Sequence, residues 1–185
     1  MHVRQRTMRL CSGVGVAMQS HFELFGLAPA FGLETEALER SYREIQSQVH
    51  PDRFAHAGDA ERRASLQWTT RVNEAYRTLK DPVQRAKHVL ELHGVDVAFE
   101  TNTAMPPEFL MQQMELREAL EEAKDAARLD ALRNQLRTSR SSLENEIAQA
   151  IDRNKDYAGA AGLVRKLQFL DKLDSEIDAA YETIE

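Results

Sequence analysis

A chain of 185 residues has room for one ordinary domain or two small ones, and 42% hydrophobic with 29% charged residues is a globular composition. Its single cysteine excludes a disulfide framework or a thiolate zinc site, and no apolar run approaches the roughly 20 residues that cross a bilayer. The net charge of −6 belongs to the last part, since residues 1–106 hold 13 Lys/Arg against 13 Asp/Glu and residues 107–185 hold 11 against 17; a surface so balanced argues against nucleic acid as a main partner.

The first 17 residues carry Arg4, Arg6 and Arg9, no acid, and end near Cys11-Ser-Gly-Val-Gly15. Two readings stay open. An Arg-rich, acid-poor leader is the composition of a transit peptide, which would place the protein in the mitochondrial matrix. The plainer reading, preferred here, is a disordered extension upstream of Met18 on a cytoplasmic protein.

Helix signals dominate the remainder, and no strand-like alternation bounded by turns is present. A short apolar element, Phe22-Glu-Leu-Phe25, stops at Gly26. The spacing of Leu38, Tyr42, Ile45 and Val49 predicts an amphipathic helix from about Thr35 to Gln48, with Glu36, Arg40, Arg43 and Ser47 on the opposite face. It must end at Val49-His50, because the residue before Pro51 is pushed out of helical geometry. A second long helix is expected from about Ala60 to Lys80 along the stripe Trp68, Val72, Ala75, Tyr76 and Leu79. Asp81-Pro82 supplies an N-cap and a first helical proline for a short helix that ends at Gly94.

Residues 95–106 read as a linker closing on Pro106-Pro107, and no further proline follows in the remaining 78 residues. Three helical patterns run from about Pro107 to Lys124, Ala126 to Asn154 and Asp156 to Glu185. Leu129, Leu132, Leu136, Leu143, Ile147 and Ile151 line the middle one, and Val164, Leu167, Leu170, Ile177 and Ile184 the last. Short connections between amphipathic helices predict an antiparallel three-helix bundle, with Gly159 and Gly162 weakening the start of its third helix. The fold class expected is all-α: a helical hairpin with short flanking helices, joined to a three-helix bundle.

The informative constellation is His50-Pro51-Asp52 between two antiparallel amphipathic helices. Pro51 fixes its own backbone and makes the loop rigid. Asp52 offers a carboxylate suited to a bidentate contact with a partner arginine, and His50 a compact donor and acceptor at the tip. Arg40 and Arg43, on the outward face leading to the tip, form a small basic patch; a merely solvated face explains two arginines equally well. The tripeptide alone is weak. With the helix before it, Val72-Asn-Glu-Ala-Tyr76-Arg-Thr-Leu79 after it and then Asp81-Pro82, the segment 18–94 resembles a J domain.

The tail differs from that of general J-domain chaperones, having no Gly/Phe-rich stretch and no cysteine-rich zinc module. Phe109-Leu-Met-Gln-Gln-Met-Glu-Leu-Arg-Glu118 and Val164-Arg-Lys-Leu-Gln-Phe-Leu-Asp-Lys-Leu173, in this order after the J motif, resemble the HscB family, over about residues 18–185. That resemblance implies a co-chaperone of iron–sulfur cluster assembly without enzymatic activity of its own. Through Arg40, Arg43, His50, Pro51 and Asp52 it would stimulate the ATPase of an HscA-type chaperone. It would deliver to that chaperone an IscU-type scaffold protein bound at Leu110, Met111, Met114, Glu115, Glu118, Glu122 and Phe169, with Met114 standing where leucine is common. Delivery of general unfolded clients is the rival reading.

Helical geometry speaks to the same segment independently. Phe109, Leu116, Leu120 and Ala123 share one face suited to the bundle, and Met111, Met114, Glu115, Glu118 and Glu122 a different one. Methionine adapts to irregular partner surfaces while carboxylates select a basic partner. The histidines, at 2, 21, 50, 56, 88 and 93, show no ligand spacing, and no phosphate-binding glycine loop is present. No cofactor, metal, nucleic acid or membrane is expected, and an acidic chain with exposed methionines is expected to be monomeric.

Overall fold

The computed structural model describes residues 20–54, 57–97 and 106–184, and every regular element among them is helical. In order these are α1 (His21–Phe25), α2 (Thr35–Val49), a 3₁₀ turn (Pro51–Phe54), α3 (Asp59–Lys80), α4 (Pro82–Leu92), α5 (Pro107–Glu122), α6 (Ala126–Ala148) with a π-helical end (Gln149–Asn154), and α7 (Tyr157–Ile184). The expected N-terminal extension with Cys11, and residues 98–105 of the expected linker, lie outside the described residues.

Polar caps set the boundaries. Ser20 Oγ accepts from the Glu23 N–H at 3.2 Å while the Glu23 carboxylate accepts from the Ser20 N–H at 3.1 Å, a reciprocal pair that starts α1. Gly26, at φ 69°, closes it in the left-handed region. Asp81 Oδ1 accepts from the Gln84 N–H at 2.8 Å, with Pro82 as first helical residue, as the sequence predicts. Gly159 and Gly162, expected to weaken the start of the last helix, both lie inside its first turns. Asp156 Oδ1 accepts from the Gly159 N–H at 2.9 Å, so α7 begins at Tyr157 with a capped first turn. The helix expected to run to Asn154 changes character instead: beyond Ala148 it widens into the π turn, and Lys155 ends it at φ 56°.

Two apolar clusters form the interior. In the first, Phe22, Phe25 and Phe31 pack with Leu38 of α2, with Val72, Ala75 and Leu79 of α3, and with Val83, Ala86, Val89 and Leu90 of α4. The same cluster takes in Ile147 and Ile151 from the end of α6 and Ala160, Ala161, Val164 and Leu167 from the start of α7. The second holds Leu116 of α5, Leu129, Leu132 and Leu136 of α6, and Leu170, Leu173 and Ile177 of α7. Each fully buried Leu, Ile or Phe contributes about 1.5–3 kcal/mol. The N-terminal helices thus rest on one end of the α6–α7 pair, while α5 covers its other end.

Pairings across α6 and α7 run in opposite senses along the two helices. Arg133 meets Asp174 and Asp178, Arg140 meets Asp171, and Ile147 joins the cluster of Val164. The pair is antiparallel. Between the N-terminal helices and this pair lies a polar junction. The Asp152 carboxylate accepts from the Phe31 N–H at 2.8 Å and the Gly32 N–H at 2.7 Å. Arg85 donates to the carbonyls of Phe31 at 2.8 Å and Leu79 at 2.7 Å, with its guanidinium 5.2 Å from the centre of the Phe31 ring.

One histidine pair has a consequence for stability. The His21 and His88 rings stack at 4.3 Å, and His88 Nε2 accepts from the His21 N–H at 3.2 Å. Burial lowers the pKa of both; for His21 the neighbouring His88 and Arg71 lower it further, against Glu74 and Glu91. A histidine depressed in the folded state contributes stability that is present above the unfolded value near 6.5 and is lost as pH falls through the folded value. The melting temperature is therefore expected to drop by a few degrees between pH 7.5 and pH 5.5. Thermal melts of the parent and of His88→Gln, which does not titrate, check this: the drop should shrink in the variant.

Candidate functional site

The hairpin of α2 and α3 is built to present its tip. Tyr42 stacks on Tyr76 with ring centroids 4.1 Å apart, and its hydroxyl donates to Asn73 Oδ1 at 2.9 Å. Gln46 donates back to the same hydroxyl at 3.0 Å. The Asn73 and Tyr76 of the sequence motif are therefore the residues that lock the hairpin. At its end the last carbonyl of α2, on Val49, accepts from Ser65 Oγ at 2.7 Å and from Thr69 Oγ1 at 3.1 Å. A helix ending before proline leaves carbonyls without intrahelical partners, and two hydroxyls of α3 satisfy this one. The Ser65 residue is 4% exposed, a buried polar group with a clear task.

Beyond that brace, His50 has extended geometry at φ −57° and ψ 131°, and Pro51–Phe54 form the 3₁₀ turn. His50 Nδ1 accepts from the Asp52 N–H at 3.3 Å, and the Arg53 N–H donates to the His50 carbonyl at 3.1 Å. Arg53 also reaches the Ser47 carbonyl at 3.0 Å. His50 and Asp52 stay exposed, the Asp52 side chain at 90%. The tip combines a fixed backbone with exposed His50 and Asp52 side chains, His50 Nδ1 lying 3.5 Å from Asp52 Oδ2. Arg40 and Arg43 are exposed on the outer face of α2, each beside a carboxylate one turn back: Arg40 lies 3.6 Å from Glu36 and Arg43 3.3 Å from Glu39. Such exposed pairs contribute little to stability, and they lessen the net basic character of the patch.

The second surface lies on α5. Phe109 and Leu116 are buried, and Leu120 and Ala123 pack on the second cluster, the inward face expected from the sequence. Leu110 is 44%, Met111 58% and Met114 62% exposed, and Glu115, Glu118 and Glu122 are exposed on the same helix. Three of the five large exposed hydrophobics among the described residues are thus gathered within five residues of one helix. Phe169 of α7 is half-buried against α5, edge-on to Phe109 with centroids at 5.7 Å and under the Arg117 guanidinium. It sits at the margin of the patch rather than in the open.

Sequence reasoning missed Ser65, Thr69, Asp152 and Arg117. Ser65 had a signal: it lies seven residues before Val72 on the apolar stripe of α3, where a polar residue requires a buried partner. Among the described residues no group of three or more His, Cys, Asp or Glu is placed to hold a metal, and no helix is long and apolar enough to cross a membrane.

Comparison with known proteins matches this arrangement. Residues 105–178 match the family model of the HSCB C-terminal oligomerisation domain. The co-chaperone protein HscB homolog of Burkholderia thailandensis is 51% identical over 169 residues, covering 90% of this chain and 96% of the relative. Among solved structures, chaperone HscB from Vibrio cholerae superposes with a TM-score of 0.80 at 34% identity, over 90% of this chain and all of that one. Human co-chaperone protein HscB gives 0.85 at 26% identity, over 89% of this chain and 83% of the human one. An N-terminal J domain carrying the braced His50–Asp52 tip, followed by a bundle of this kind, places the chain in a defined group: it belongs to the HscB family of co-chaperones.

Proposed function

We propose that the chain is a two-ended adaptor, which stimulates the ATPase of an HscA-type chaperone and delivers to it an IscU-type iron–sulfur scaffold. The observation that carries the delivery half is the exposed Leu110–Met111–Met114 patch with Glu115, Glu118 and Glu122 beside it. An apolar patch flanked by carboxylates fits a partner surface that is apolar at its centre and basic around it. The recruiting half rests on the braced tip, where His50, Pro51 and Asp52 with Arg40 and Arg43 form the chaperone-facing set. Scaffold docking uses Leu110, Met111, Met114, Glu115, Glu118, Glu122 and Phe169. In this reading the division of labour falls at residues 95–106, the protein works as a cytoplasmic monomer, and no cofactor takes part. Hydrolysis and its ATP belong to the partner.

Holding both partners raises the effective concentration of the scaffold at the chaperone without any new contact between them. Because the N-terminal helices share a core with the end of the α6–α7 pair, the two docking surfaces keep a fixed relation. The test separates the two ends. Met111→Ala combined with Glu118→Ala is expected to weaken scaffold binding by about tenfold or more, as loss of an apolar anchor and a charge at one interface would. Isothermal titration measures that loss. Stimulation of the chaperone in the absence of scaffold should persist in the same variant, measured as phosphate release. Unchanged scaffold affinity would favour delivery of general unfolded clients instead.

A further inference from the structure

We infer that Met111 and Met114 are a reversible oxidation site, at which conversion to methionine sulfoxide releases the scaffold from α5. The inference rests on the scaffold-docking reading above and adds a modification that would regulate it. Both side chains are more than half exposed, at 58% and 62%, and they lie three residues apart, one turn above the other on α5. That exposure leaves both residues within reach of a dissolved oxidant until a partner covers them.

The chemistry balances with hydrogen peroxide as oxidant. A sulfur lone pair attacks one peroxide oxygen, an S–O bond forms as the O–O bond breaks, and the departing hydroxide takes up a proton to leave as water. The sulfur is oxidised by two electrons and the peroxide reduced by two. The product is polar and chiral where an apolar, flexible side chain had been, a change that disrupts methionine-rich interfaces and that thiol-dependent reductases reverse, one for each sulfoxide epimer. Here it would place two sulfoxide oxygens within the patch that Leu110 shares, on a helix that already presents the Glu115 and Glu118 carboxylates as acceptors. The remaining four of the six methionines, at 1, 8, 18 and 105, precede α5 in the sequence, and the leucine variant below separates their oxidation from that of Met111 and Met114.

The experiment uses the full chain and an IscU-type scaffold. The protein is treated with hydrogen peroxide, the peroxide is removed with catalase, and dithiothreitol is added to restore the Cys11 thiol, which it reduces while leaving sulfoxides intact. Peptide mass spectrometry gives the fraction of sulfoxide at each methionine, and titration calorimetry the scaffold affinity. With both residues oxidised, affinity is expected to fall at least about tenfold and to recover after incubation with the two sulfoxide reductases. In the variant Met111→Leu with Met114→Leu, affinity after treatment should stay within about twofold of that variant's own untreated value. Unchanged affinity with both sulfoxides confirmed, or an equal loss in the leucine variant, overturns the inference. An untreated parent protein that fails to bind the scaffold overturns both the inference and the docking reading on which it rests.

Discussion

His50→Gln is expected to bring the ATPase of the partner chaperone back to its unstimulated rate while leaving this protein folded. The two halves of that expectation have separate grounds. His50 is exposed and lies outside both apolar clusters, and among the described residues its imidazole makes only long, solvent-exposed contacts with Asp52, accepting from its N–H at 3.3 Å and lying 3.5 Å from its carboxylate. Glutamine offers an acceptor of similar reach, so the change in folding stability should stay within about 0.5 kcal/mol. The tip holds its form by other means: the Val49 carbonyl is gripped by Ser65 and Thr69, and Arg53 ties back to Ser47. A loss of stimulation in a protein with parental circular dichroism and melting temperature therefore reports a lost contact with the chaperone. Full stimulation by the variant would remove the ATPase-recruiting reading. Ser65→Ala probes the same surface from inside the protein. It leaves the tripeptide intact and removes one of the two hydroxyls on Val49, and a partial loss of stimulation would show that the form of the tip matters beyond its composition.

Much of this arrangement is legible in the sequence because it is local. The helices announce themselves by apolar spacing, and Asp81-Pro82 reads directly as a cap. Phe109 and Leu116 turn inward while Met111 and Met114 turn outward, because residues seven and three apart keep to one side of a helix whatever it packs against. What the sequence hides is what depends on distant pairing. Asp152 and Phe31 are 121 positions apart, and nothing near either residue points to the other. The π-helical end of α6 is hidden for the same reason, since its residues 149–154 have the composition of an ordinary helical turn. Arg40 and Arg43 show a middle case. Their outward position is legible, but their pairing with Glu36 and Glu39 follows from i, i+4 spacing that also weakens the patch they form.

Asp152→Ala is expected to loosen the N-terminal helices from the bundle. Its carboxylate is the acceptor for two adjacent backbone N–H groups, of Phe31 and Gly32, in the loop between α1 and α2. Hydrogen bonds to an ionised acceptor are the stronger kind, and removing the acceptor leaves the part-buried Phe31 N–H without it. The Gly32 end is exposed, so water recovers part of the loss. A net cost of about 2–3 kcal/mol follows, measurable as a lower midpoint in urea. Asp152→Asn should recover less than half of it, because its amide keeps one acceptor and turns a donor toward the second N–H. Gly32→Ala approaches the same contact from the other side: an added Cβ would lie 3.1 Å from Asp152 Oδ2, so it should cost less than loss of the carboxylate but act in the same direction. The sole tryptophan, Trp68 on α3, gives a local signal for the N-terminal helices. In the parent, its fluorescence and the far-ultraviolet circular dichroism should report one coincident transition, since Ile147, Ile151 and Leu167 belong to the same core as Phe22 and Leu79. In Asp152→Ala the Trp68 transition should move to lower urea by more than the dichroism does. A midpoint unchanged within error would mean that the shared apolar core alone holds the two parts together. A shift of the predicted size would make one carboxylate the polar pin that fixes how the two ends of the adaptor face one another.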